Sequence, residues 1–143
     1  MYLILIIPLL VALITQIIKL TIDGIPNNLN WQYLFSDYGG MPSSHASLVT
    51  SLALITGLQT GFGEAPFAIA FILAIIVIRD AVGFRREIGK NAELTNVLAQ
   101  ELFPANPEVQ IRERIGHTPK EVLIGIIFGL FLTLIFYWLT MVL

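Results

Sequence analysis

Residues 61–82 read GFGEAPFAIAFILAIIVIRDAV. From Ala65 to Val82 only Arg79 and Asp80 carry charge, both near the end of the run. A stretch this apolar suits hydrocarbon, where a helix of ~20 residues crosses a core ~30 Å thick. Before it, Thr60-Gly61-Phe62-Gly63-Glu64 is a tight turn, preceded by a second apolar stretch from about His45 to Phe62. The pair is expected to form an antiparallel helical hairpin. Two further runs, about Tyr2 to Ile22 and Glu121 to Leu143, are also long enough to span. The expected fold is all-α: an integral membrane bundle of four transmembrane helices, with residues 1–143 forming a single membrane-embedded domain.

Composition agrees. The 143 residues are 56% hydrophobic and 13% charged, whereas a soluble domain carries ~25% charged residues. There is no cysteine, which excludes disulfides, thiolate metal ligands and cysteine nucleophiles. The N-terminal run lacks a basic leader and a small-x-small cleavage site, so it is expected to be a retained span rather than a signal peptide. A net charge of −2 says little about partners; the bilayer is the expected one, and no nucleic acid is expected.

Two stretches are not membrane-like. Residues 23–41 are polar and turn-rich, with Pro26, Asn27, Asn28 and Gly39-Gly40. Residues 83–116 hold most of the charge; within them Leu94, Val97, Leu98 and Leu102 follow helical spacing, which predicts an amphipathic helix on the membrane surface. Asn106-Pro107 then reads as the start of a short helix that Gly116 ends. With four spans, all eight basic residues (Lys19, Arg79, Arg85, Arg86, Lys90, Arg112, Arg114 and Lys120) fall on the side of loops one and three. The positive-inside rule assigns that face to the cytoplasm of a multi-pass cell-membrane protein.

The chain has two histidines, His45 and His117, both on this charged face and each at the start of a span. A helix N-terminus presents free N–H groups and a partial positive charge, so it favours an anion. Together with the Arg and Lys side chains, this predicts a pocket for a phosphate-like anion at the membrane boundary. Glu121 lies one turn after His117. It could hold one imidazole nitrogen and so sharpen the other as a nucleophile or base, or it could close a capping box with Thr118 and serve only the backbone. Ser43 or Ser44 could likewise do no more than cap the second span.

Taken together, Pro42-Ser43-Ser44-His45 and His117-Thr118-Pro119-Lys120-Glu121 resemble the second and third signature motifs of the type-2 phosphatidic acid phosphatase superfamily, relatives of the vanadium haloperoxidases. The stretches RDAVGFRREIGKNAELTN and GHTPKEVLIGIIFG resemble a divergent branch of it. The resemblance implies a metal-independent acid-phosphatase-like hydrolase that needs no cofactor, though vanadate or phosphate could bind as an anion. It implies His117 as the nucleophile forming a phosphohistidine, Glu121 as its orienter, and His45 as the acid for the leaving group. Ser43, Ser44 and the basic residues would hold the phosphate oxygens, and a lipid phosphate or pyrophosphate would be the substrate.

There are departures from the pattern. Pro26-Asn27 stands where the first motif has Arg-Pro, although Lys19 lies in the right region. Arg112 and Arg114 are out of register for the third motif, so Arg85 or Arg86 could supply the guanidinium. Arg79 and Asp80 lie at the edge of a span, where charges are costly and usually functional; Lys90 completes the phosphate-binding candidates. Four spans instead of the superfamily's usual six leave a minimal bundle that could work as a homodimer. The alternatives are a non-catalytic lipid-phosphate binding or transport protein, a vanadate-dependent halide oxidase, and a purely structural bundle.

Overall fold

A computed structural model describes residues 2–23, 40–102 and 117–142, the side chains of Asp23, Arg85 and Arg86 apart. The expected short helix after Asn106, the departure at Pro26-Asn27, and Arg112 and Arg114 lie outside the described residues. The elements are α1 (Tyr2–Asp23), α2 (Ser44–Thr60), α3 (Ala65–Val82), α4 (Phe84–Leu102) and α5 (Pro119–Val142). There is no strand among the described residues. The chain is an all-α membrane bundle, and α1, α3 and α5 belong to helical segments long and apolar enough to cross a bilayer.

The central helix is α2, against which α1, α3 and α5 all pack. This placement explains its composition. A helix facing lipid is made of large apolar residues, as α3 is, but one facing other helices in a membrane favours small ones that let backbones approach. Accordingly α2 buries Ala46, Ser47, Val49, Ser51, Ala53 and Gly57. Two buried hydroxyls bond within their own helices: Thr56 donates to the Leu52 carbonyl and Thr15 to that of Val11, both at 2.7 Å. At 17 residues, α2 is about 26 Å long at 1.5 Å per residue.

Three clusters make the interior. Val49 and Ala53 of α2 meet Ala70 and Ala74 of α3. Ile55 of α2 meets Ile7 and Val11 of α1, flanked by Leu132 and Phe136 of α5. Ala46, Ala81 and Val122 join α2, α3 and α5 near the charged face. The outward residues are large and apolar: Leu9, Leu13 and Ile17 on α1, Ile69, Ile72 and Ile76 on α3, Leu123, Ile127 and Leu130 on α5. An apolar exterior over a small-residue interior is the pattern that lipid solvent demands.

The ends of the elements differ slightly from expectation. Gly61 has φ +104°, a conformation open mainly to glycine, and its N–H donates to the Gly57 carbonyl at 2.9 Å. The second span therefore stops at Thr60, and Phe62 packs edge-on against Phe67 at 5.0 Å over the turn. The last span starts at Pro119 because Thr118 caps it. Gly83 closes α3 by donating to the Arg79 carbonyl at 2.8 Å, and α4 begins directly after it. On α4, Leu94, Val97, Leu98 and Leu102 are exposed, while Ala92 and Asn96 are buried. It is thus the expected amphipathic surface helix, with its apolar stripe turned away from the protein.

Helices α2 and α5 run parallel. The Ser43 N–H donates to the Glu121 carbonyl at 3.2 Å, and further along both helices Thr133 Oγ1 lies 2.6 Å from Ser51 Oγ. Thr133 Oγ1 is also 2.6 Å from the Gly129 carbonyl. Its single proton serves one acceptor, so Ser51 donates to Thr133 and Thr133 donates to Gly129.

This packing predicts a contrast between two isoleucines. Ile55→Ala opens a cavity between three helices and is expected to cost about 2–5 kcal/mol. Ile72→Ala trims a side chain that is more than half exposed on the outer face of α3 and is expected to cost much less. Thermal or denaturant unfolding of the detergent-solubilised protein, followed by circular dichroism, measures both.

Candidate functional site

Two parallel helices begin at the same place, so their N-termini converge. The Ser43 side chain is fully buried and caps α2, accepting from the Ala46 N–H at 3.4 Å. Half-buried His45 sits in the first turn after it. Across from it, Thr118 and Glu121 cap α5 reciprocally: the Thr118 N–H donates to Glu121 Oε2 at 3.0 Å, and the Glu121 N–H donates to Thr118 Oγ1 at 3.3 Å. The same Oε2 lies 3.2 Å from His117 Nδ1. The two readings of Glu121 are therefore not alternatives, because one oxygen closes the capping box and also holds the imidazole.

His117 is fastened at its backbone too. Its N–H donates to the Ala81 carbonyl in the last turn of α3 at 3.1 Å. The residue is 6% exposed, and its Glu121 partner's side chain 21%. With Nδ1 donating to Glu121, the lone pair of the imidazole is on Nε2.

The third contributor is Lys19, near the end of α1 and only 3% exposed. Burial holds the His117 imidazole below its ordinary range; Glu121 opposes this, while the charges of Lys19 and His45 reinforce it. Lys19 and His45 thus each lie within electrostatic reach of His117, brought there by different helical segments. Two converging helix N-termini with a buried lysine near them make a place where an anion is favoured.

The sequence has relatives. A sequence model described as "Divergent PAP2 family" matches residues 2–132. The chain belongs to the Divergent PAP2 family. It is also similar to the "Uncharacterized membrane protein YuiD" of Bacillus subtilis (strain 168), with 36% identity over 134 residues covering 84% of each chain. No solved structure matches it.

Within this family member, the candidates read from sequence divide clearly. Lys19, Ser43, His45, His117 and Glu121 come together, with half-buried Ser44 beside them at the start of α2. Asp80 is half-buried next to Ala81, whose carbonyl holds His117. Arg79 is exposed in the last turn of α3. Lys90 is on the surface of α4, ion-paired with Glu87 at 2.7 Å. Arg85 and Arg86 are on α4, with side chains outside the description. No group of three or more His, Cys, Asp or Glu able to hold a metal occurs among the described residues.

Sequence reasoning missed the Ala81 carbonyl, since a main-chain acceptor has no residue signature. It also left Gly125 and Gly129 unused, although their four-residue spacing was there to read.

The electrostatics predict opposite shifts for two substitutions. Lys19→Met removes a positive neighbour, so the His117 pKa is expected to rise. Glu121→Gln removes the carboxylate that favours the imidazolium, so it is expected to fall. Titration of the two imidazoles by NMR in micelles, assigned with His45→Ala, reads both directions.

Proposed function

We propose that the protein is a membrane lipid-phosphate phosphatase that hydrolyses a phosphomonoester or pyrophosphate through a phosphohistidine. The observation that carries this reading is the His117–Glu121 pair set beside His45 and buried Lys19, where two helix N-termini converge. Membership of the Divergent PAP2 family supports it.

In the proposed reaction, His117 Nε2 attacks phosphorus and the bond to the leaving oxygen breaks. His45, protonated, gives its proton to that oxygen, and the lipid alcohol or phosphate leaves. His45 then takes a proton from water as the water attacks the phosphohistidine, freeing inorganic phosphate and restoring both imidazoles. Glu121 keeps Nδ1 protonated and stabilises the charge that develops on the ring. Lys19 and the N–H groups at the start of α2 hold the phosphate oxygens as their charge grows. A depressed His117 pKa fits this role, since the nucleophile must be neutral.

The substrate class follows from depth. Lys19 is four residues before the end of α1, and both histidines stand at the mouths of helices. A phosphate held there lies at the membrane boundary, within reach of a headgroup whose chains stay in the bilayer. The eight basic residues on this side support a cytoplasmic orientation in the cell membrane.

Phosphate release from purified protein in mixed micelles tests the reading, with phosphatidic acid, phosphatidylglycerol phosphate and a polyprenyl pyrophosphate as substrates. Wild type is expected to release phosphate from at least one, and His117→Ala and His45→Ala to fall to the buffer blank. Turnover unchanged in either variant overturns the mechanism. Tight vanadate binding with no turnover on any substrate would instead make the protein a lipid-phosphate binder or carrier, consistent with its altered first motif.

A further inference from the structure

Parallel helices that start side by side repel. Each N-terminus carries about half a positive charge, and buried Lys19 lies within electrostatic reach of His117 beside them. Something must hold the two starts together.

We infer that the seam between α2 and α5, above all Gly125, is the positioning device that sets the distance between the two histidine-bearing helix starts. Ser43, the cap of α2, and Ser47 and Ser51 within it meet Gly125, Gly129 and Thr133 of α5 in register, at four-residue steps along both chains. A Cβ built on Gly125 would stand 2.5 Å from the Ser43 carbonyl oxygen and 3.1 Å from Ala46 Cβ. On Gly129 it would stand 2.7 Å from the Ser47 carbonyl oxygen and 3.0 Å from Ser47 Cα.

What is struck matters more than the distances. At Gly57 an added Cβ meets the Phe62 and Phe67 rings, which can turn aside, and at Gly63 it meets nothing. At Gly125 and Gly129 it meets main chain, which no rotamer change can move. The helices themselves must separate. Gly125 is one turn below Glu121, whose carbonyl accepts the Ser43 N–H at 3.2 Å. Separation at Gly125 therefore breaks that bond and carries His45 away from the His117–Glu121 pair.

The distance claim stands without the proposed reaction; only its catalytic consequence rests on that reading. The chain has no cysteine, so spin labels on a Met41→Cys/Lys120→Cys pair report the spacing of the two starts by pulsed EPR. Adding Gly125→Ala is expected to lengthen the distance and to lower kcat by roughly a hundredfold, as small misplacements of reacting groups do, with KM little changed. Thr133→Val loses the Ser51 contact, and is expected to lower the melting temperature while distance and kcat stay at wild-type values. Gly63→Ala is expected to change nothing.

An unchanged distance in folded Gly125→Ala overturns the inference. So does a longer distance at full kcat, or a lost kcat at unchanged distance, or a Thr133→Val that lowers kcat as Gly125→Ala does. If Gly125→Ala does not fold, Gly129→Ala carries the same test one turn deeper, with the same outcomes deciding it. If the wild type turns over no lipid phosphate, the proposed function fails while the EPR distances still decide the seam.

Discussion

Glu121 makes three connections at once. Its carboxylate oxygen Oε2 receives the Thr118 N–H and closes the start of α5, and it also lies on His117 Nδ1. Its backbone carbonyl receives the Ser43 N–H and so ties α5 to the start of α2. One residue thus caps a helix, orients an imidazole and fastens two helices at one point. Each bond alone is modest, on the order of 1 kcal/mol net, or a little more where charge assists. Their value lies in being made together, since none can shift without disturbing the others.

Around that point the structure gathers positive charge that it could have kept apart. Lys19 is buried near the end of an apolar helix, where a charged side chain is costly. Two helix N-termini add their partial charges, and His45 adds its own when protonated. A buried lysine beside two converging helix N-termini is a setting that suits an anion, which is the physical core of the phosphatase reading.

Much of the fold was legible. The limits of α3 match the apolar run from Ala65 to Val82, because lipid on nearly every side leaves hydrophobicity as the only constraint. The surface helix of residues 84–102 was likewise visible in the spacing of Leu94, Val97, Leu98 and Leu102. The central position of α2 was not. The sequence shows it as one more apolar stretch, yet its serines and threonines mark a helix packed among other helices. Among the site candidates, the two histidines, Glu121 and Lys19 converge because each stands at a helix end on one face. Arg79 and Lys90 share that face but point outward, a matter of helix rotation that charge counts do not encode. The dual bonding of Glu121 depends on one rotamer, which sequence spacing permits but does not decide.

The central claim is that His117 becomes covalently phosphorylated. Rapid mixing of the protein with a lipid phosphate carrying labelled phosphorus, followed by an alkaline quench, preserves a phosphohistidine, which acid destroys. The account predicts base-stable, acid-labile label on the peptide containing His117 in wild type and none in His117→Ala. Phosphate release that proceeds with no label on the protein, or label that persists in His117→Ala, would contradict it.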